Sequence, residues 1–121
     1  MEFKNFKGAL KNESIKSNKD WWENNPMTYD WEDENQVSKT LTKEWFKKID
    51  EKFFSISKEF SHPDRNSEPF SELINFQELK GKKVLEIGCG MGSHSGLLAK
   101  YAKQLTSIDI TDTAVNTTNK R

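Results

Sequence analysis

The chain has 121 residues, of which 33% are hydrophobic and 31% charged, enough for one ordinary domain with a thin apolar supply and no large buried core. Its 19 basic and 19 acidic side chains cancel, so no net field draws it onto nucleic acid or an anionic membrane. Cys89 is the single cysteine, which excludes an internal disulfide and fits a reduced, cytoplasmic setting, and no stretch approaches the roughly 18 apolar residues of a membrane span.

Residues 1 to about 20 are rich in Lys, Asn, Ser and Glu with scattered Phe3, Phe6, Leu10 and Ile15. That composition buries too little surface to offset the cost of ordering and predicts a mobile arm. Trp21, Trp22, Pro26, Met27, Tyr29 and Trp31 follow in a polar background, too aromatic for a linker and too irregular for a helix, with rings that call for a cover. They can form a lid over a bound ligand or simply pack against the next helix; residues 1–37 are therefore read as a flexible arm and aromatic-rich segment.

Between Ser38 and Phe60 the residues Leu41, Trp45, Ile49, Phe53, Ile56 and Phe60 recur at steps of three or four, which predicts a helix with one buried face. Ser38 or Thr40 can cap its start, and His62-Pro63 stops it. A loop over 64–69 leads to Phe70, Leu73, Ile74, Phe76 and Leu79, a short helix or two turns ending at Gly81. Residues 38–80 thus form a helical cap.

After Gly81 the pattern changes. Lys82-Lys83-Val84-Leu85-Glu86-Ile87 is a short strand, Ser93 to Lys103 a helix with Leu97, Leu98 and Tyr101 on one face, and Leu105 to Ile110 a second strand. Asp112 or Thr113 can cap a further helix running to Arg121. The alternation predicts an α/β fold with a parallel sheet over 81–121.

The informative stretch is Glu86-Ile87-Gly88-Cys89-Gly90-Met91-Gly92, placed between strand and helix. Gly88 permits a sharp turn out of the strand, Gly90 lets backbone approach a ligand, and Gly92 lets the helix start close to the sheet. The free N–H groups at the helix start favour an anionic group such as a carboxylate. Asp109 ends the second strand roughly 20 positions after Gly88, where an acidic residue can accept from ribose hydroxyls. The spacing is Gly-x-Gly-x-Gly rather than the dinucleotide form G-x-G-x-x-G. Glu86, two positions before the first glycine, would repel a pyrophosphate and suits a ligand carrying an ammonium and a sulfonium.

Val84 to Gly92 resembles motif I of class I S-adenosylmethionine-dependent methyltransferases, and Leu105 to Thr111 is similar to the family's next motif. The resemblance implies a Rossmann-like methyltransferase fold in which an N-terminal helical extension precedes the first βαβα unit of the sheet. It implies S-adenosyl-L-methionine as cofactor, with Glu86 supporting the loop and the methionine end, and Gly88, Cys89 and Gly90 touching it through backbone. Met91 and Gly92 complete that loop, Asp109 holds the ribose, and Ile110 lies against the adenine. The acceptor is expected to be a small molecule. The later strands of that seven-stranded fold carry most substrate and catalytic residues, so no general base is assigned. The chain reads as a truncated portion of the family fold, and the open edge of the first strand offers a route to self-association.

Two rivals stand beside this reading. A nicotinamide- or flavin-dependent oxidoreductase is opposed by Glu86 and the glycine spacing, and a non-catalytic cofactor-binding or interaction fragment fits the short chain. Cys89 lacks a His or Asp at a spacing that would make it a nucleophile, and reads as a small residue filling the loop. His94 reads as a packing or solvent-facing residue before it reads as a base. His62 has no clustered Cys or second His with which to bind a metal, and none is expected.

Overall fold

A computed structural model of the chain describes residues 13–28, 41–61 and 68–121. The rings of Tyr29 and Trp31, the caps Ser38 and Thr40, the stop at His62-Pro63 and the first twelve residues of the expected arm lie outside them. The order of elements is α1 (Glu13–Asn24), α2 (Lys43–Ser61), a single 3-10 turn (Phe76–Leu79), β1 (Lys83–Ile87), α3 (Ser93–Ala99), β2 (Gln104–Ile108) and α4 (Asp112–Thr118). This is a mixed α/β arrangement whose described strands form one two-stranded parallel sheet.

Residues Glu13 to Asn24 are helical, which corrects the reading of this part as a mobile arm and of Trp21 and Trp22 as too irregular for a helix. Propensity alone would not hold so polar a helix. Its distant contacts do: Glu23 accepts hydrogen bonds from the Asp112 and Thr113 amides at the start of α4, and Lys19, one turn earlier, pairs with Asp112 at 3.5 Å. The helix closes on itself at Asn24 and Asn25, whose side-chain amides donate to the carbonyls of Asp20 and Trp21 at 2.7 and 2.8 Å. Trp21 and Trp22 meet edge-to-face at 4.6 Å yet remain 52% and 39% exposed, so the cover expected for these rings is only partial.

Helix α2 begins at Lys43, with the Thr42 hydroxyl accepting from the Trp45 amide at 3.2 Å. Its apolar stripe does what the spacing predicts over Trp45, Phe46 and Ile49, all buried, whereas Ile56 is 58% exposed. Phe53 joins Phe70 and the His94 ring, 6.0 and 4.9 Å away, in a second aromatic group. Phe70 takes a left-handed φ of 65° there, a conformation costing an L-residue roughly 1–2 kcal/mol.

β1 and β2 pair in register from Lys83↔Gln104 to Ile87↔Ile108. Period-two alternation places Glu86 and its partner Ser107 on the face toward α3, while Leu85 and Ile87 on the other face are 60% and 77% exposed. The core lies on the covered side, where Trp45, Phe46 and Ile49 of α2 meet Cys89 and Met91 of the glycine loop and Ala114 of α4. Helix α2 of the helical cap therefore shares its core with the loop. Among the described residues no helix is long and apolar enough to cross a membrane.

Candidate functional site

The loop from Gly88 to Gly92 leaves the C-terminal end of β1 and turns into α3, beside the C-terminal end of β2. The ladder runs into it: the Ile108 carbonyl accepts from both the Gly88 and Cys89 amides at 2.8 and 3.1 Å. Side chains in the loop alternate. Cys89 and Met91 point into the core at 6% and 4% exposure, while a Cβ added at Gly88 or Gly90 would meet no atom within 4 Å. Gly90 and Gly92 have φ of 52° and 82°, in the region where glycine is strongly favoured over other residues.

Asp109 closes the loop from the neighbouring strand. Its Oδ2 accepts from the Gly90 amide at 3.0 Å, and its Oδ1 accepts from the Thr111 amide and hydroxyl at 3.0 and 2.9 Å. A carboxylate has about four acceptor positions, so these bonds leave Oδ2 room for one further donor. Accepting from both hydroxyls of a ribose, the sequence expectation for Asp109, would take one more acceptor position than the loop bonds leave.

Glu86 sits under the same loop. Its Oε2 accepts from the Ser95 hydroxyl at 2.5 Å and the Ser107 hydroxyl at 2.6 Å. These two bonds tie α3 to both strands. Neither serine is prominent in the sequence, and the register that sets Ser107 opposite Glu86 is visible only in the structure. Thr111, buried, caps α4 by accepting from the Ala114 amide at 3.2 Å; it takes the place expected for Asp112 or Thr113. The Thr118 hydroxyl donates to the Gly90 carbonyl at 3.1 Å, and α4 ends there rather than at Arg121. Ile110, just beyond Asp109, is 40% exposed and offers apolar surface.

Titration behaviour separates support from chemistry. Burial pushes the Cys89 thiol up, and the nearby carboxylates of Asp109 and Glu86 add to this against an opposing hydrogen bond with Thr118. A thiol held protonated is a poor nucleophile. Burial pulls the His94 imidazole down, against the Glu86 charge that raises it; with its ring 4.9 Å from Phe53 and 4.8 Å from Phe70, His94 is a packing residue. Among the described residues no cluster of His, Cys, Asp or Glu could hold a metal ion.

The donor set and open space of the loop fit the cofactor that the sequence resemblance implies. The open space beyond Gly88 and Gly90 is a cradle that any Cβ would begin to fill, Asp109 has acceptor capacity beside it, and the Glu86 charge lies behind it. Cys89 and Met91 contribute backbone alone on the open side of the loop, since their side chains are committed to the core. No protein-family model, curated protein or solved structure matches the chain.

Proposed function

We propose that this chain forms the methionine- and ribose-binding part of an S-adenosylmethionine-dependent methyltransferase of class I, with a Rossmann-like fold, acting on a small molecule. The observation that carries the reading is the Asp109 carboxylate just after β2, bonded to the Gly90 amide across the mouth of a loop whose first two glycines, Gly88 and Gly90, open onto free space. Crevices outside the carboxyl ends of parallel strands are where α/β sheets bind ligands.

When bound, S-adenosylmethionine supplies a methyl group activated by a sulfonium. The chain's own residues then have three tasks. Gly88 and Gly90 admit close backbone approach, Asp109 accepts from a ribose hydroxyl, and Ile110 lies against the adenine. The Glu86 charge, on β1 two residues before Gly88, favours a ligand end bearing an ammonium over one bearing a pyrophosphate. That preference separates this reading from a nicotinamide- or flavin-dependent oxidoreductase.

Calorimetric titration with S-adenosylhomocysteine and with NAD tests the proposal. S-adenosylhomocysteine should bind more tightly, and Asp109→Ala should weaken it at least tenfold, the size of a lost hydrogen bond to a charged group. Tighter binding of NAD, or an Asp109→Ala variant that binds as the wild type does, would sink it.

A second reading rests on the exposed Leu85 and Ile87, at 60% and 77%: the chain associates, with itself or another polypeptide, through the sheet face that carries them. Sedimentation across a range of concentrations tests it, and Leu85→Lys should abolish association while leaving ligand affinity unchanged.

A further inference from the structure

Arg121 is the residue that the site reading leaves unused, and its side chain is 14% exposed. Its Nη1 and Nη2 donate to the two carboxylate oxygens of Asp50 on α2 at 2.9 and 2.6 Å. Its Nε donates to the Met91 carbonyl at 2.9 Å, Nη2 reaches the Ser93 hydroxyl at 3.4 Å, and the guanidinium carbon stands 4.7 Å from the centre of the Phe46 ring. One side chain thus joins α2 and the glycine loop to the end of α4.

The loop contact falls at a particular point. The Met91 carbonyl and the Gly92 amide belong to one planar peptide unit. Arg121 holds the carbonyl end, and the amide end donates to the Cys89 carbonyl at 2.9 Å. With both ends bonded the plane cannot turn, which fixes ψ of Met91 and φ of Gly92, the left-handed residue from which α3 starts. The Arg121 stem also occupies the space beside Gly92: a Cβ there would lie 2.8 Å from Cδ and 2.9 Å from Nε.

We propose that Arg121 is a positioning residue for the ligand loop, and that through Asp50 it makes the loop's shape depend on the docking of α2. Its consequence for affinity rests on the cofactor reading given above; its consequence for the loop does not. Because coupling of this kind is reciprocal, a ligand that orders the loop also tightens α2.

The test compares Arg121→Ala, Arg121→Lys, Asp50→Asn and the swapped pair Asp50→Arg/Arg121→Asp with the wild type in the full chain. Amide hydrogen exchange is read at Gly90, Gly92 and the strands, and affinity for S-adenosylhomocysteine by calorimetry. Arg121→Ala should speed exchange at Gly92 about tenfold relative to β1 and β2 and weaken binding by a similar factor. Arg121→Lys should recover little, since a point charge cannot hold a carboxylate in two bonds and a carbonyl in a third. Asp50→Asn should lie between, and the swapped pair, which loses the Met91 bond, should resemble Arg121→Ala. Unchanged Gly92 exchange in Arg121→Ala overturns the proposal, as does acceleration spread equally over loop and strands. If Arg121→Ala does not fold, Asp50→Asn and Arg121→Lys decide by the same two patterns. A wild type that fails to bind S-adenosylhomocysteine removes the cofactor reading, and the exchange pattern alone then decides the role of Arg121.

Discussion

The glycine-loop unit and the two N-terminal helices are held by different kinds of contact. Within the loop unit the decisive bonds join residues of adjacent elements: Asp109 to Gly90, Glu86 to Ser95 and Ser107. Helices α1 and α2 are attached across most of the chain, by Glu23 to the start of α4 and by Asp50 to Arg121. The two attachments also differ in depth. α2 buries Trp45, Phe46 and Ile49 beneath the loop, whereas the contacts of Lys19 and Glu23 on α1 with the start of α4 lie at the surface or are half-buried. Hence α2 belongs to the same cooperative body as the loop, and α1 is the element that can detach at low cost.

The sharpest way to break that comparison is Ile49→Ala. Ile49 is 3% exposed, so truncation should cost about 2–5 kcal/mol of global stability, read from chemical denaturation followed at both helix and loop. A loss confined to α2, with the loop transition unmoved, would show α2 to be an appendage. Next in size is Gly92→Ala, which places a side chain at a φ of 82° and against Arg121, at a cost of about 1–2 kcal/mol from the backbone alone. Combining it with Arg121→Ala should give less than the sum of the single effects, because the second change removes the clash; full additivity would mean that Arg121 does not fill that space.

The third effect is a pH dependence. His94 titrates below its ordinary value of 6.5 because it is half-buried, so the unfolded chain binds the proton first as pH falls. Its contribution to stability is complete above about pH 6.5 and is lost as pH drops through that ordinary value toward the lower folded one. Unfolding free energies of the wild type and His94→Phe, measured from pH 8 to 5, should therefore diverge on acidification, with the wild type losing more. The smallest effect is expected for Glu23→Ala, about 1 kcal/mol for removing a helix-capping acceptor. It should raise proteolytic cleavage within α1 while leaving exchange in β1 and β2 untouched; equal loosening of both would deny the separation between α1 and the rest.

These differences explain what could be seen in the sequence. The first strand is predicted at Lys82 to Ile87 and found at Lys83 to Ile87 because a short apolar run between two glycines leaves little choice. The second ends at Ile108, before Ile110, because Asp109 turns its carboxylate to the loop amide and to Thr111. The placement of Asp109 beside the glycines was legible from spacing, as were the buried α2 residues from periodicity. Helix α1 was not, since its composition describes an unanchored chain and its anchor, the start of α4, lies far along the sequence. Nor was Arg121, which no local pattern distinguishes from the other 18 basic residues. The glycines of Gly-Cys-Gly-Met-Gly are readable as turn and close-approach positions, but the burial of Cys89 and Met91 between them emerges only when α2 packs beneath the loop.

That alternation gives the protein an internal reporter. The thiol of Cys89 lies on the inner side of the loop, 6% exposed and held protonated, one residue from the Gly90 amide that Asp109 grips. A maleimide or disulfide reagent reaches it only during moments when the loop lifts from the core. The labelling rate of this single cysteine therefore clocks the opening of the site in the unmodified chain, and any small molecule that clamps the loop should slow that clock.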